Sequence, residues 1–372
     1  MKPKLFRKIA VVMMMTAAVV MTARPYDSGD NDLAPDMEAG VTVSSATLEL
    51  YVGDKQTLTA EVTLADVADK TLTWSSSNTD VATVDPATGE VTAVATGTAI
   101  ITATAANDKT GSCTITVSPD VYVAGYADSN NSIQIAALWK NGVWHALTNG
   151  TNAAYAKSVY VSGNDVYVAG EDDNKPVLWK NGVVQVLPHI KWGSAYSVYV
   201  SGSDVYIAGE NSYIPALWKN GVKQALNAGY GSAKSVYVSG SDVYVAGEDN
   251  YKPVLWKNGV KQILSNDGGV AQSVFISGTD IYVVGDDDSG AVLWKNGVKQ
   301  ALPSTSWASA HSVYVSGTDV YVAGRDDSGA VLWKNGVQQA LYGVSARSVF
   351  VSGSDVYVAG ENSNKPVLWK NG

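Results

Sequence analysis

The sequence predicts an all-β protein: a small β-sandwich followed by a seven-bladed β-propeller whose first and last blades are incomplete. Three observations predict it. Strand formers (Val, Thr, Tyr, Trp) alternate with turn formers (Gly, Asn, Asp, Ser) along 372 residues, and no long helical pattern interrupts them. From Asp120 onward one phrase recurs seven times, as DVYVAG or a close variant starting at Asp120, Asp165, Asp204, Asp242, Asp280, Asp319 and Asp355. LWKNG follows each copy, with Trp139, Trp179, Trp218, Trp256, Trp294, Trp333 and Trp369 spaced by subtraction at 40, 39, 38, 38, 39 and 36 residues. A repeat of that length marks a propeller or a solenoid.

Residues 1–24 read as a secretory signal, with a basic head (Lys2, Lys4, Arg7, Lys8), an apolar stretch from Ile9 to Val20 and small residues after it. The stretch is too short for a membrane anchor, and no other segment could span a bilayer, so the mature chain is expected to be exported with no transmembrane segment. Met21-Thr22-Ala23 resembles the residues before the lipidated cysteine of bacterial lipoproteins, but Arg24 stands where that cysteine would be. Release and surface attachment both stay open. Residues 25–40 form a polar linker. Cys113 is the single cysteine, which rules out an internal disulfide framework, and its alternating context GSCTITV makes it a small buried apolar residue.

From Val41 to Ser118 the chain reads as about seven short strands separated by turn signals such as Val52-Gly53-Asp54, Pro86-Ala87-Thr88-Gly89 and Asn107-Asp108-Lys109, a sandwich pattern. The runs LYVGDKQTLTA, LTWSSSNTDVATVDPATGEVTAVATGTAIITA and CTITV resemble the group 2 bacterial immunoglobulin-like domains of intimin- and invasin-type surface proteins. The resemblance implies an Ig-like sandwich serving as a spacer or adhesion module, with no catalytic residues to carry over. Trp74 is expected to anchor its core.

Residues 119–372 hold the repeats. One full unit contains four apolar runs, A (SVYV), B (VYVAG), C (VLWK) and D (VKQIL), in chain order. Ser-Gly-x-Asp joins A to B and Asn-Gly joins C to D, both tight hairpins. About six residues separate B from C, and D returns to the next A by a longer link, as a propeller's outermost strand must. Two hairpins per unit count against a parallel β-helix. The repeated Trp is expected in the packing between blades, and the Asp of Ser-Gly-x-Asp is expected to cap its own turn.

Variation concentrates in the B–C and D–A loops, which share one face of a propeller, so that face is the candidate binding surface. The D–A connectors contribute Tyr155, Trp192, Tyr196, Tyr230, Trp307 and Tyr342; the B–C loops contribute Tyr213, Tyr251, Asp173, Asp249, Asp287 and Asp327. Aromatic faces stack on sugar rings while carboxylates bond hydroxyls, so an extracellular glycan is the first partner expected and a surface protein the alternative. DDDSG and RDDSG offer too few oxygens at alternate spacing for a calcium loop, and their order departs from the Asp-box of sialidase propellers.

A net charge of −9 argues against nucleic acid. The histidines His145, His189 and His311 fall in a D strand and in two connectors, and no nucleophile, metal or phosphate motif accompanies them. No catalysis, metal or cofactor is expected, with a glycan-active enzyme as the least favoured alternative, and the chain is expected to be a monomer. The final repeat ends at PVLWKNG with no D strand, and the first has no A strand. That pattern predicts a chain continuing past Gly372.

Overall fold

The computed structural model describes residues 40–62, 71–129, 133–304, 307–363 and 365–372. The expected signal and all but the last residue of the linker lie outside them. Among the described residues no helix is long and apolar enough to cross a membrane, and every regular element is a strand.

Among the described residues the first domain has nine strand segments where the sequence predicts about seven. Two strands each break and change sheets. Val41–Val43 pairs with Ala60–Val62, whereas Thr47–Tyr51 runs parallel to Thr110–Ser118, and Lys55–Thr57 joins Glu90–Ala93. The larger sheet adds Gly97–Ala105 and Leu72–Ser76. Trp74, Ile101, Cys113 and Ile115 fill the space between the layers, as expected for Trp74 and Cys113. Gly89 has φ +72°, and a Cβ there would meet the Trp74 ring at 2.9 Å, so the turn that closes over the tryptophan needs glycine.

Seven antiparallel sheets follow, each a meander in chain order. Blade 3 is complete, with strand A Gly193–Ser201, B Asp204–Asn211, C Pro215–Lys219 and D Val222–Gln224. Blades 2, 4, 5 and 6 repeat it over residues 154–186, 231–263, 269–301 and 308–340. Among the described residues blade 1 has B (Tyr122–Asp128), C (Gln134–Lys140) and D (Val143–Ala146), and blade 7 has A (Ser345–Ser352), B (Asp355–Asn362) and C (Lys365–Lys370). The arrangement fits a seven-bladed propeller.

Burial explains the repeated apolar runs. Tyr167, Ala169, Leu178 and Leu187 of blade 2 pack on Ala195, Val198, Ile207 and Trp218 of blade 3, and the same interface recurs down the chain. Five of the repeat tryptophans, Trp179, Trp218, Trp256, Trp294 and Trp333, are fully buried in it. Strand A also links the blades directly. The Val198 N–H donates to Ser158 Oγ, Val236 to Ser197, Val274 to Ser235, Val313 to Ser273 and Val349 to Ser312. Beside these bonds runs a file of rings, Tyr160, Tyr199, Tyr237, Phe275, Tyr314 and Phe350, with neighbouring centroids 4.8–5.1 Å apart.

The recurrent Asp does not cap its own turn. In blade 4, Asp242 accepts from Asn258 Nδ2 and the Tyr244 hydroxyl and pairs with Lys257 at 2.8 Å, tying the A–B corner to the C–D turn. The Asn carbonyl also accepts the Val243 N–H. Asn258 and Gly259 both have positive φ, the type I′ geometry that Asn-Gly favours, which is why W-K-N-G is repeated as a block. The lysine, then the asparagine, holds the carboxylates of Asp165, Asp204, Asp242, Asp280 and Asp319 below the usual range.

A candidate binding face on blades 3 to 6

The B–C loops are tighter than the sequence suggests. Strands B and C extend to meet in two-residue turns, so what reads as a six-residue loop is mostly ladder. In blade 2 the turn is Asp173-Asn174 (φ 54° and 59°), in blade 3 Ser212-Tyr213 (54° and 62°), and in blade 4 Asn250-Tyr251 (52° and 63°). Asn tolerates this left-handed conformation. Tyrosine shares the Cβ crowding of any L-residue but lacks the short polar group that lets Asn bond its own backbone, so a bulky residue there is an outlier. Blades 5 and 6 instead place Gly290 and Gly329 at positive φ.

These two strained tyrosines join one aromatic column. Trp192 meets Tyr213 edge-on at 4.0 Å, Tyr213 stacks on Tyr230 at 5.3 Å, and Tyr230 lies against Tyr251 at 5.5 Å. Connectors and turn tips from successive blades therefore do share one face. Rings stacked in this way cover one another, so the column offers its edges and its terminal ring. Tyr251 is that end, 67% exposed. Beside it lies an open cavity of ≈560 Å³ lined by Tyr251, Trp307, Gly268 of the connector, Gly269 at the start of strand A, and the acidic residues Glu248, Asp286 and Asp288. A Cβ on Gly269 would strike the Asp286 carbonyl oxygen, so strand A needs glycine where it starts against strand B. Asp286 accepts from Ser309 Oγ, and burial, more than the charge of Asp287, raises its carboxyl above the usual range. The Arg325 guanidinium sits 5.3 Å from the Trp307 ring centre.

The other expected site residues are dispersed. Tyr342 stands exposed beside blade 7, Asp173 pairs with Lys175, and Asp327 is exposed at its turn. Asp249 and Asp287 are not loop-surface groups. They are 4% and 5% exposed, paired with Lys261 and Lys299, and they close the turns above their blades by accepting from Gly229 N–H and Ser289 N–H. Burial opposes the Asp287 charge, but Lys299 and Ser289 bring its carboxyl below the usual range.

Tyr155, Tyr196 and His311 lie within strand A, not in connectors, because strand A runs through a bulge that the apolar run SVYV does not reveal. In six blades the register slips at one place, leaving Lys157, Tyr196, Lys234, Gln272, His311 and Arg347 as the extra residue. The Tyr196 ring is flanked by the Lys157 ammonium at 4.6 Å and that of Lys234 at 4.2 Å, and its hydroxyl donates to Glu210. Burial first, then Glu210, raises the Tyr196 hydroxyl well above its ordinary value, and burial lowers the Lys234 ammonium. Tyr155 instead meets Tyr126 and donates to Gln134. The bulge positions were readable as the one variable letter in A-x-S-V. Among the described residues no group of His, Cys, Asp and Glu is arranged to hold a metal.

The first domain is immunoglobulin-like, a packing of sheets with the parallel pairing of an early strand to the last. Residues 39–117 match the family described as bacterial Ig-like domain (group 2), and this segment is such a domain. Curated relatives share only short stretches with the chain. It is 45% identical over 107 residues to lacto-N-biosidase of Bifidobacterium bifidum, covering 27% of this chain and 9% of that protein. It is 46% identical over 80 residues to an Ig-like virion protein of Serratia phage KSP90, covering 21% and 31%. It is 44% identical over 93 residues to 3-O-alpha-D-galactosyl-alpha-L-arabinofuranosidase of Bifidobacterium longum subsp. longum, covering 23% and 8%. The chain thus spans less than a third of the length of each of these relatives.

Proposed function

We propose that this is an exported bacterial binding protein in which the Ig-like domain is a spacer and the aromatic face of blades 3 to 6 takes a carbohydrate without turning it over. The observation that carries the reading is the placing of Tyr213 and Tyr251 in a left-handed turn conformation that favours Asn or Gly. Blade 2 fills the second turn position with Asn174 at almost the same φ. A fold that tolerates Asn there has no structural need of tyrosine, and such strain gathers at binding sites. The exposed terminal ring, Trp307 in the same cavity and the acidic residues Glu248 and Asp288 suit a sugar's apolar face and its hydroxyl rim. Two of the relatives sharing the Ig-like stretch are named for glycan cleavage and one for a phage particle, settings that fit an extracellular binding or adhesion role. Screening the purified chain on a glycan array tests the reading. Binding that weakens on both Tyr251→Asn and Trp307→Ala supports it. Retention on protein surfaces with no glycan bound would point to protein adhesion instead, and glycan turnover would refute the non-catalytic part.

A further inference from the structure

The binding face carries a seat for a negative charge at blade 6, and we propose that the sugar it takes is an acidic one, its carboxylate held by Arg325 beside Trp307. This rests on the carbohydrate reading above and adds the charge of the ligand to it. The repeats supply the comparison. The residue after the repeated glycine of strand B is an acid in five blades, Glu171, Glu210, Glu248, Asp286 and Glu361. In blade 1 it is Tyr126 and in blade 6 it is Arg325.

Each of the five acids is engaged by a strand A. Lys157 pairs with Glu171 and Arg347 with Glu361, both at 2.8 Å. The Tyr196 hydroxyl donates to Glu210 and Ser232 to Glu248, and Ser309 of blade 6 reaches back one blade to donate to Asp286. Blade 6 breaks the pattern. Among the described residues Arg325 pairs with no carboxylate, and its guanidinium lies against the Trp307 ring. The bulge residue of the same blade is a second base, His311, whose Nδ1 donates to the Ala346 carbonyl at 2.8 Å. Burial, with the charges of Arg347 and Arg325 adding to it, keeps that ring neutral.

Ser345 marks what is missing. It holds in blade 7 the strand A position that Ser309 holds in blade 6, opposite the acid of its own B strand or its replacement. Ser309 finds its acceptor one blade back, in Asp286. One blade back from Ser345 stands Arg325, which has nothing to accept with. The Ser345 hydroxyl is fully buried and has no partner, a costly state for a donor. An unpaired guanidinium and an orphan hydroxyl thus belong to one position, where five blades keep a carboxylate.

A carboxylate brought by a ligand replaces the missing one. Arginine takes it through two parallel N–H bonds, and Ser345 gains its acceptor. Trp307, beneath the guanidinium, also lines the cavity that Tyr251 lines, so a sugar ring on Trp307 carries an acid group on its rim to Arg325. The acids of that cavity come from blades 4 and 5 and are left for the hydroxyls.

The test is a set of uronic-acid and sialic-acid glycans, each beside its carboxyl-reduced form, titrated against the full wild-type chain and against Arg325→Glu and Arg325→Gln. In wild type the best acidic glycan should bind at least tenfold more tightly than its reduced form. Both variants should lose that preference. Arg325→Glu should also melt no lower than wild type, because it restores the residue of four other blades and an acceptor for Ser345. Equal binding of acidic and reduced forms, or a preference that survives both substitutions, would overturn this inference and leave the carbohydrate reading standing. Failure of every glycan in both forms would overturn the two together.

Discussion

Replacing Tyr251 by Asn separates folding from binding at the terminal ring of the aromatic column. At φ 63° the wild-type residue carries the left-handed penalty, roughly 1–2 kcal/mol for an L-residue with an ordinary side chain. Asn relieves most of it. The substitution also removes the contact with Tyr230 at 5.5 Å, and an aromatic pair is worth about 0.5–1.5 kcal/mol. The ring is mostly in water, so little burial is lost with it. The two effects nearly cancel, and stability should change by about 1 kcal/mol or less in either direction. For a domain of this size that is a shift of roughly 2–4 °C in Tm. Binding should behave differently, because a ring at the centre of a recognition surface typically contributes about 2 kcal/mol or more, some thirtyfold in Kd. The assay is thermal unfolding beside titration with the best glycan from the array. A Tm fall well beyond 4 °C would show that Tyr251 is structural and that the strain argument fails. An unchanged Kd would remove Tyr251 from the site.

Further outcomes follow from the packing and charge. Trp256→Ala should destabilise by about 3–5 kcal/mol, read by denaturant unfolding, because its ring is fully buried between blades. Gly247→Ala should lower Tm strongly, since a Cβ there lies 2.2 Å from the Ser232 carbonyl oxygen and the bulged strand cannot yield. His311 is held neutral, its pKa lowered to about 4, chiefly by burial. Its folded pKa lies below the unfolded value near 6.5, so its contribution is present above pH 6.5 and lost as pH falls from there to about 4, roughly 3 kcal/mol at 1.36 kcal/mol per pKa unit. His311→Gln, which places the residue of blade 5 in blade 6, should flatten that limb of the Tm–pH curve, and an unaltered limb would contradict it. The depressed carboxylates of Asp165, Asp204, Asp242, Asp280 and Asp319 act lower. Their stabilisation is present above about pH 4 and lost below it, so the wild-type Tm should fall further in that acid range, below the His311 limb.

The repeats were legible because each constraint is written seven times. Invariant Trp, Lys, Asn and Gly announce a buried ring, an ion pair and a type I′ turn, and period and hairpin signals set the order of strands within a blade. The partner of the repeated Asp was not legible, since Asp242 and Asn258 meet only when the A–B corner and the C–D turn fold to the same edge. Loop length was misread for a related reason: EDNYKP looks like a loop because it is polar, yet at a sheet's outer face polar residues pair as well as apolar ones. Asp249 and Asp287 look like surface acids by type, and only the lysines reaching across from strand D show why they are buried. The bulge was visible in principle as Lys, Tyr, Lys, Gln, His and Arg at one position of a fixed strand. Which aromatics converge was beyond the sequence, because the column is assembled from three successive blades.

Amide exchange of the full chain, with and without the glycan it binds most tightly, tests the central claim most directly. The account predicts slowed exchange at residues 248–251, 268–270, 286–288 and 307–309, with residues 41–118 unchanged. Protection confined to the Ig-like domain, or spread evenly over all seven blades, would contradict it.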